Sequence, residues 1–311
     1  LPILLPREGY GWGEPTLLRR GVSAADAGTY TLTATNILGV ATVSRPILVT
    51  VDDTSRFANL STRASVAGGE QALIAGFTIP GRSPRTILIR GIGPGLAQFG
   101  VANPIADPQI QLYQADGRPR VGSFSDDWDV SSLPAFTSTG AFSLETGSKD
   151  AAFYSVLNPG SYTVVLTGKS GESGTALIEV YEYDKAASRL LNLSTRALVT
   201  STAPVIAGFA VRGLVPKRVL LRVIGPGLAS FGVTSLLQDP RLTVKDATGS
   251  TVASNDNWSA GSASEVTAAS AAVGAFPLAS GSRDAASVLT VLPGNYTMLA
   301  EAVETGTGIV L

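Results

Sequence analysis

The stretch of sequence that decides the fold occurs twice. Residues 56–77 read RFANLSTRASVAGGEQALIAGF, and residues 189–209 read RLLNLSTRALVTSTAPVIAGF. Four later segments return in the same order: 92–96 at 224–228, 126–128 at 256–258, 147–152 at 281–286, and 159–163 at 293–297. A period of about 130 residues is the size of a domain and too long for a solenoid unit. The repetition predicts two similar domains in series, repeat A (residues 54–187) and repeat B (residues 188–311).

The composition favours β-sandwich domains. Hydrophobic residues make up 44% of the 311-residue chain, charged residues only 15%, and there are 34 glycines, a profile typical of strands joined by many turns. The formal net charge is −1, without a block of like charge. This argues against nucleic acid and anionic membranes as partners, because both attract basic faces. No apolar run approaches the ~20 residues that span a bilayer, so we expect no membrane insertion.

The chain has no cysteine and no histidine. It therefore lacks disulfides, thiolate metal ligands, and the commonest general base and zinc ligand. A Ser-His-Asp or Cys-His mechanism within this chain is excluded, and we expect no enzyme activity. The absence of cysteine does not by itself assign a compartment, but it fits the many exported bacterial proteins that avoid cysteine, and we expect a secreted protein at the cell surface. The opening LPILLPREGY lacks an initiator Met and the length of a signal peptide, which predicts a piece of a longer precursor.

Residues 1–53 carry the signature of an immunoglobulin-like sandwich. Asp26, Gly28 and Tyr30 form the Asp-x-Gly-x-Tyr pattern of a tyrosine corner, in which the tyrosine hydroxyl bonds back to nearby backbone. Leu32 stands where such domains commonly carry their second cysteine, so we expect it to fill the core. Strand E is expected at 15–22, and residues 36–39 predict the turn between strand F and strand G.

This segment contains only the C-terminal part of such a domain, strands E, F and G. Strands A to D, with their core tryptophan, would precede it, and Trp12 lies in a glycine-rich lead-in. Burying about eight apolar side chains stabilises less than ordering about 50 residues costs. We therefore expect another chain, upstream sequence or repeat A to complete the sandwich.

Each repeat predicts about eight strands. In repeat A, alternating apolar residues and turn signals place them at 60–66, 72–79, 85–92, 109–114, 120–125, 152–157, 161–167 and 175–183. The Asn-Pro-Gly turn at 158–160 predicts a hairpin between the sixth and seventh strands. A helical turn is expected at 96–99, and the Ala-rich residues 265–273 of repeat B predict a short helix. The pattern is typical of a jelly-roll-like β-sandwich, which makes the chain all-β.

The second half of each repeat resembles a known module. In repeat A the resemblance rests on DPQIQLYQADG at 107–117, DDW at 126–128 and NPGSYTVV at 158–165. These segments are similar to the bacterial pre-peptidase C-terminal (PPC) domain, a secreted jelly roll attached to exported hydrolases and surface proteins. The full repeat, with NLSTRA at 59–64 and IGPGLAQFGV at 92–101, resembles the tandem C-terminal modules of exported Verrucomicrobia-type proteins with immunoglobulin-like domains. The resemblance implies export and carries no catalytic activity.

An acidic cluster is the best candidate site. Closely spaced carboxylate and amide oxygens on a loop suit Ca²⁺, and some members of the resembled module bind calcium. The candidate ligands are Asp126, Asp127, Asp129, Asn255, Asp256 and Asn257. The alternative, which we favour, is that these residues cap turns beside packed tryptophans. We expect no other cofactor.

Two further repeated motifs have structural interpretations. The Gly-Pro-Gly turns at 93–95 and 225–227 superficially resemble a phosphate loop, but no Lys-Ser/Thr follows and proline removes a backbone N–H. We therefore predict structural turns. The dipeptides Lys-Asp at 149–150 and Arg-Asp at 283–284 keep a cation beside an anion in both copies. We interpret each as a hairpin-start turn or a partly buried ion pair, with a contact between modules as the alternative.

The sequence leads to a structural hypothesis for function. Residues 306–311 align with 174–179, whereas repeat A continues through 180–183, so the last strand of repeat B is expected to be truncated. A sandwich with an incomplete edge offers unpaired N–H and C=O groups to a strand from another subunit. We therefore expect a non-catalytic subunit of a bacterial surface filament, sheath or layer, assembled head-to-tail from copies of itself.

The alternative hypothesis is a binding protein, either an adhesin stalk or a carbohydrate-binding accessory module of a large exported protein. Its partners would be surface glycans. Exposed aromatic rings on one face would favour it, and the candidates are Trp128, Trp258, Tyr113 and Tyr154, although most are expected in the core.

Overall fold

A computed structural model describes residues 26–49, 55–183, 190–261 and 263–311. The chain divides into two compact units, Leu1–Thr54 and Ser55–Leu311. Strands dominate both units, and the fold is the all-β sandwich that the sequence predicted. Both repeats belong to the second unit.

The first unit contains four short strands in its described part. They are β1 (Gly28–Tyr30), β2 (Thr33–Thr35), β3 (Ala41–Val43) and β4 (Ile47–Val49). β1 pairs antiparallel with β4, and β2 pairs with β3 across the predicted turn at 36–39. The side-chain oxygen of Asn36 accepts the N–H groups of Leu38 and Val40 at 2.9 Å each, which stabilises this turn. The predicted strand E at 15–22 lies outside the described residues.

Most apolar side chains in the described part of this unit are exposed. Leu32, expected in the core, is 52% exposed, and Val43 and Ile47 are exposed as well. The prediction for Leu32 is wrong because residues 26–49 form two small two-stranded sheets, which are too little structure to enclose a core.

The second unit is built from two sets of eight described strands. Repeat A contains β5 (Arg56–Val66), β6 (Leu73–Ile79), β7 (Arg85–Ile92), β8 (Pro108–Gln114), β9 (Pro119–Ser125), β10 (Ala151–Leu157), β11 (Gly160–Gly168) and β12 (Gly174–Glu182). Repeat B contains β13 (Leu191–Val199), β14 (Val205–Arg212), β15 (Lys217–Val223), β16 (Pro240–Lys245), β17 (Thr251–Asn255), β18 (Ala285–Val291), β19 (Gly294–Ala302) and β20 (Gly308–Val310). The eight strands predicted for repeat A are confirmed within a few residues at each end.

Short helices occupy equivalent places in the two repeats. Helix α1 (Leu133–Thr139) follows β9, and α2 (Ala263–Val273) follows β17. The second confirms the helix predicted at 265–273. The Gly-Pro-Gly turns lead into short 3-10 helices at Pro94–Phe99 and Pro226–Phe231, which confirms the helical turn predicted at 96–99.

Repeat A folds as two facing sheets. In repeat A one sheet has the order β10-β7-β12-β5 and the other β6-β11-β8-β9. Ile89, Leu112 and Val164 from the two sheets are fully buried in one core. The predicted hairpin between 152–157 and 161–167 is wrong, because β10 and β11 lie in opposite sheets. The turn between them carries the chain across the sandwich.

The two repeats join through their sheet edges. β5 of repeat A pairs antiparallel with β14 of repeat B, and β13 of repeat B pairs with β6 of repeat A. The registers are equivalent, with Ser61 opposite Gly208 and Ser194 opposite Gly76. The sheets therefore continue from one repeat into the other, and one hydrophobic core contains residues of both. This joined unit differs from the two domains in series that the repetition predicted.

The last strand of repeat B is shifted by two residues from the expected alignment. Gly308 takes the place of Gly174, because β20 pairs with β13 as β12 pairs with β5. The sequence alignment had matched Gly174 with Gly306. A close backbone approach explains the shift: a Cβ on Gly308 would lie 2.2 Å from the nitrogen of Leu237, and one on Gly174 2.7 Å from that of Ile105. Only glycine fits at either position.

Candidate functional site

In repeat A the Gly-Pro-Gly turn at 93–95 and the Lys-Asp dipeptide at 149–150 meet at a buried carboxylate. Asp150 is fully buried, and its Oδ1 accepts the N–H groups of Gly93 at 2.8 Å and Gly95 at 3.1 Å. Its Oδ2 accepts the hydroxyl of Ser148 at 2.7 Å. Hydrogen bonds to an ionised acceptor are stronger than neutral ones. The aspartate therefore holds the glycine turn and the start of the helix at Pro94–Phe99.

Repeat B builds the same arrangement. The buried Asp284 accepts the N–H groups of Gly225 at 2.8 Å and Gly227 at 3.1 Å, and the Ser282 hydroxyl at 2.7 Å. A Cβ atom on Gly225 would lie 2.0 Å from the carbonyl oxygen of Leu237, so the turn requires glycine. These amides bind a protein carboxylate, which confirms the interpretation of the Gly-Pro-Gly segments as structural turns.

The cation beside each buried aspartate has a different partner. Lys149 Nζ lies 2.9 Å from Asp127 Oδ2, and an Arg283 guanidinium nitrogen lies 2.6 Å from Asp239 Oδ2. Each cation therefore forms an ion pair with a carboxylate outside its own dipeptide. Neighbouring residues of an extended segment point to opposite sides, so each aspartate enters the interior while the cation stays at the surface.

The acidic cluster of repeat A is bound by lysine and backbone groups. Lys169 Nζ lies 3.0 Å from Asp126 Oδ2 and 3.6 Å from Asp107 Oδ2. Its hydrogen bond holds the pKa of Asp126 below the ordinary range, and the same bond raises the pKa of Lys169. Hydrogen bonding to the side chain of Ser131 and to its backbone N–H, the latter at 2.9 Å, lowers the pKa of Asp129.

The matching residues of repeat B form a hydrogen-bonded turn. Asn255 Oδ1 accepts the Ala286 N–H at 2.9 Å, and its Nδ2 donates to the carbonyl of Asn257 at 3.0 Å. Trp258 is buried and donates its indole N–H to the carbonyl of Ala279 at 3.1 Å. These contacts are of the kind expected for turn-capping residues beside a packed tryptophan.

No group of three or more Asp, Glu, His or Cys side chains in the described parts of the chain is arranged to hold a metal ion. Of the proposed calcium ligands, Asp126 and Asp127 face lysines, and Asp129 caps a turn. Asp256 lies in the equivalent turn of repeat B. A cation in repeat A would have to displace the two lysines, and the calcium hypothesis stays a prediction.

A tyrosine corner recurs in each part of the chain. The Tyr30 hydroxyl donates to the carbonyl of Asp26 at 2.7 Å, which confirms the predicted bond. Tyr162 and Tyr296 make the same bond, at 2.9 Å, to the carbonyl of the residue four positions earlier. The shared signal is Gly-x-Tyr-Thr, at 28–31, 160–163 and 294–297. It marks the crossing from one sheet to the other in both repeats.

A buried charge pair lies on the outer face of β7 and β12. Arg90 has no exposed surface, and its Nε lies 3.0 Å from Glu179 Oε2. The guanidinium stacks on Phe142 and Phe136, at 4.3 and 4.7 Å from the ring centroids, and donates to the Phe142 carbonyl at 2.6 Å. Tyr181 donates its hydroxyl to Glu179 Oε1 at 2.8 Å. Sequence motifs did not reveal this cluster, because its members are far apart in the chain.

Burial dominates the electrostatics of this pair. Desolvation raises the pKa of Glu179 above its ordinary value of 4.5, while Arg90 opposes the shift. Burial also raises the pKa of Tyr181. The Nε–H of Arg90 is not aligned for a hydrogen bond with the carboxylate. A buried pair of this kind contributes little net stability as long as it is intact, but removal of one partner is costly.

Repeat B keeps the arginine and its stacked phenylalanine. Arg222 stacks on Phe276 at 4.4 Å and donates to its carbonyl at 2.8 Å, as Arg90 does with Phe142. Among the described residues, no salt bridge to Arg222 is present. Burial lowers the pKa of Arg222, and the neighbouring Asp284 opposes this.

A cleft at the junction of the repeats combines a cation with an aromatic ring. Arg63, Phe99, Thr202 and Pro204 are among its lining residues. Phe99 is 56% exposed, and its counterpart Phe231 is 61% exposed. The two rings therefore present aromatic surface at equivalent places in the two repeats.

The aromatic residues named from the sequence divide between core and surface. Trp128 and Trp258 are buried, whereas Tyr154 is exposed and Tyr113 is partly exposed.

No protein-family model matches this chain, and no curated protein matches it in sequence. None of the helices among the described residues has the length and apolarity needed to cross a bilayer.

Proposed function

We propose that this chain is a non-catalytic structural protein of the bacterial cell exterior. In this proposal it is a subunit of a surface filament, sheath or layer, and copies assemble head-to-tail by pairing of sheet edges. The resemblance to modules of exported Verrucomicrobia-type proteins supports the location.

One observation carries the proposal: the two repeats associate through paired sheet edges. β5 with β14, and β13 with β6, form antiparallel ladders with matching registers. Edge pairing gives main-chain hydrogen bonds that do not depend on side-chain identity. The fold therefore already uses, within one chain, the kind of contact that a polymer of such sandwiches needs between chains.

The second unit, Ser55–Leu311, also has a sheet edge available for such a contact. β9 is the terminal strand of its sheet, and Val121 in that strand is 95% exposed. Natural proteins commonly protect such edges with charge. An apolar residue on an edge strand is what a self-pairing surface requires.

Electron microscopy of the purified protein tests the proposal. We expect filaments or sheets that form more readily as the protein concentration rises. Val121→Lys should reduce assembly, because a lysine on an edge strand opposes edge pairing. The matched control is Val130→Lys, at an exposed valine in the helical turn Val130–Ser132, which should assemble as the unchanged chain does. A monodisperse monomer at all concentrations would contradict the proposal.

The cleft beside Phe99 favours a second candidate function, glycan binding by an adhesin stalk or accessory module. Carbohydrate rings stack on exposed aromatic faces, and Arg63 supplies hydrogen-bond donors in the same cleft. A glycan array tests this, with Phe99→Ala expected to abolish any signal from the cleft. Val252→Ala on β17 is the control, since it removes an exposed apolar side chain outside the cleft.

A further inference from the structure

The cleft beside Phe99 lies on the outer face of β5. Along this strand Thr62 and Ala64 are buried, and the alternating residues Arg63 and Ser65 lie on the opposite face, where they line the cleft. The cleft has a volume of about 380 Å³, which falls within the range of small-molecule sites, about 300–1,000 Å³. The space is therefore sufficient for a small ligand.

Arg63 is a cation without a counter-charge. Among the described residues that line the cleft, it is the only charged one, and its guanidinium forms no ion pair or hydrogen bond with the described part of the chain. Thr175 and Thr202 add hydroxyl groups to the lining. The planar guanidinium fork matches the geometry of a carboxylate. The cleft therefore favours a ligand with an anionic group.

Phe99 gives the cleft an aromatic wall that is held in place. It is the last residue of the 3-10 helix Pro94–Phe99, whose start is bound by Asp150. Its ring packs edge-on against Phe142, with 4.9 Å between the ring centroids. Phenylalanine supplies a large apolar surface, on which the C–H groups of a sugar ring can pack. A wall fixed in advance loses little conformational entropy when a ligand binds.

The matching place on the other side of the junction has a different chemistry. In the alignment of the repeats, Glu70 stands where the cleft has Thr202, and Thr234 stands where it has Ala102. The Thr234 hydroxyl donates to Glu70 Oε2 at 3.4 Å, so a hydrogen bond and a carboxylate occupy that place. The cleft beside Phe99 contains neither group, and its cation stays accessible to a ligand.

The backbone around the cleft does not favour a peptide ligand. At Arg63, β5 is paired on one side with Leu177 of β12 and on the other side with Ile206 of β14. A peptide that binds by adding a strand needs an unpaired edge, and β5 has none at this position. The ligand must therefore be held by side chains, as a saccharide is.

We propose that the cleft beside Phe99 binds an acidic saccharide. The carboxylate of a uronic acid pairs with Arg63, the sugar ring packs on Phe99, and the hydroxyls of Thr175 and Thr202 bind sugar hydroxyls. This inference rests on the second candidate function, glycan binding, and names the class of glycan. The charge-assisted bond to Arg63 distinguishes acidic from neutral sugars.

Isothermal titration calorimetry of the 311-residue chain with tetragalacturonate tests the proposal. The control ligand is the same oligosaccharide with its carboxylates converted to methyl esters, which differs in charge alone. We expect one site per chain for the acid, and binding of the ester about tenfold weaker or worse, as for loss of a charge-assisted hydrogen bond. Equal affinity for the two ligands would overturn the proposal.

Three protein variants locate the site. Arg63→Gln should lower the affinity for the acid to that for the ester. Arg82→Gln makes the same change at an exposed arginine outside the cleft and should bind as the unchanged chain does. Thr202→Glu, at an exposed position, places beside Arg63 the carboxylate that the other side has in Glu70, and should weaken binding of the acid about tenfold or more. Equal losses in Arg63→Gln and Arg82→Gln would show nonspecific attraction and overturn the proposal.

The two levels of the hypothesis fail separately. Equal binding of acid and ester that Phe99→Ala abolishes would keep glycan binding in the cleft and overturn the selection for acidic sugars. A neutral glycan that binds on the array, without any binding of tetragalacturonate, would do the same. Absence of any glycan signal in both experiments would overturn glycan binding itself. The filament proposal is independent of these results, because electron microscopy tests it without a ligand.

Discussion

The hydroxyl oxygens of Thr62 and Thr195 lie 2.8 Å apart, and the two threonines hold the same position in the two repeats. Each belongs to an NLSTRA segment, in β5 and β13 respectively. Around them, Ser61 faces Gly208 as Ser194 faces Gly76. The two repeats are thus related by a local twofold arrangement that passes between these threonines.

Replacing one threonine of this pair should destabilise the junction. In Thr62→Val the hydroxyl of Thr195 loses its partner inside the joined unit, and we expect the free energy of unfolding to fall by about 1–2 kcal/mol. Thr62→Val combined with Thr195→Val should cost less than the sum of the single changes, because no hydroxyl is left unpaired. Chemical denaturation of the four proteins measures the coupling. If the losses of the two single variants simply add up in the double variant, the hydrogen bond does not contribute to the free energy of unfolding.

The close approach of β5 to β14, and of β13 to β6, should depend on glycine. A Cβ atom on Gly208 would lie 2.6 Å from the Ser61 Oγ, and one on Gly76 would lie 2.7 Å from the Ser194 Oγ. We expect Gly208→Ala and Gly76→Ala each to lower the free energy of unfolding by roughly 1–3 kcal/mol through crowding. The control is Gly68→Ala, where a Cβ atom meets nothing within 4 Å, and stability should be unchanged or slightly higher. A neutral effect at both junction glycines would contradict the strand pairing.

The buried aspartates should matter more than any exposed ion pair. In Asp150→Asn a single carbonyl oxygen replaces a carboxylate that accepts hydrogen bonds from Gly93, Gly95 and Ser148, and we expect a loss of about 2–3 kcal/mol. Asp127→Asn removes a half-exposed ion pair with Lys149 and should cost under about 1 kcal/mol. Denaturation curves of both variants test whether the loss of stability is larger in Asp150→Asn than in Asp127→Asn. Equal effects would show that the glycine turn does not depend on the aspartate.

Glu179 should make stability decrease as pH rises. Burial raises its pKa above the ordinary value of 4.5, so the folded protein holds this proton more tightly than the unfolded chain. The resulting stabilisation is fully present below pH 4.5 and is lost as the pH rises through the raised pKa. Glu179→Gln cannot titrate. The stability of this variant relative to the unchanged chain should therefore improve over that interval, on top of a constant offset from the altered contact with Arg90.

Unfolding free energies measured between about pH 4 and pH 8 test this prediction. Glu304→Gln is the matched control, because it makes the same chemical change at an exposed position. A Glu179→Gln profile parallel to that of the unchanged chain would show that the carboxylate is not perturbed by burial.

Local features were predictable because their causes are local. The strands of repeat A follow from alternation and turn residues, α2 follows from an alanine-rich run, and the Tyr30 bond follows from the pattern Asp-x-Gly-x-Tyr. The connection between β10 and β11 was not predictable in this way. An Asn-Pro-Gly turn is compatible both with a hairpin and with a crossing between sheets, and only the packing of the two sheets distinguishes them.

The candidate sites show the same division. The segments around Asp126 and Asp256 marked a turn that both repeats contain. The groups that hold this turn come from distant residues, Lys169 bound to Asp126 in repeat A and the Ala286 N–H bound to Asn255 in repeat B. Likewise the aspartates at 150 and 284 stood beside cations in the sequence and are bound to glycine amides in the structure. Adjacent residues of an extended chain face opposite sides, so sequence neighbours are poor guides to ion pairs.

The repeated sequence by itself determined that the chain contains two copies of one eight-strand sandwich. The alternation of buried residues and the positions of turn-forming residues are properties of short segments, so the sequence shows them directly. It could not determine that the first strand of each copy pairs with the second strand of the other. That choice depends on which sheet edges remain free after each copy has folded, and on Gly76 and Gly208, where a Cβ atom would crowd the serine on the paired strand. Only the tertiary structure brought Thr62 to Thr195, because these two threonines lie 133 residues apart in the chain.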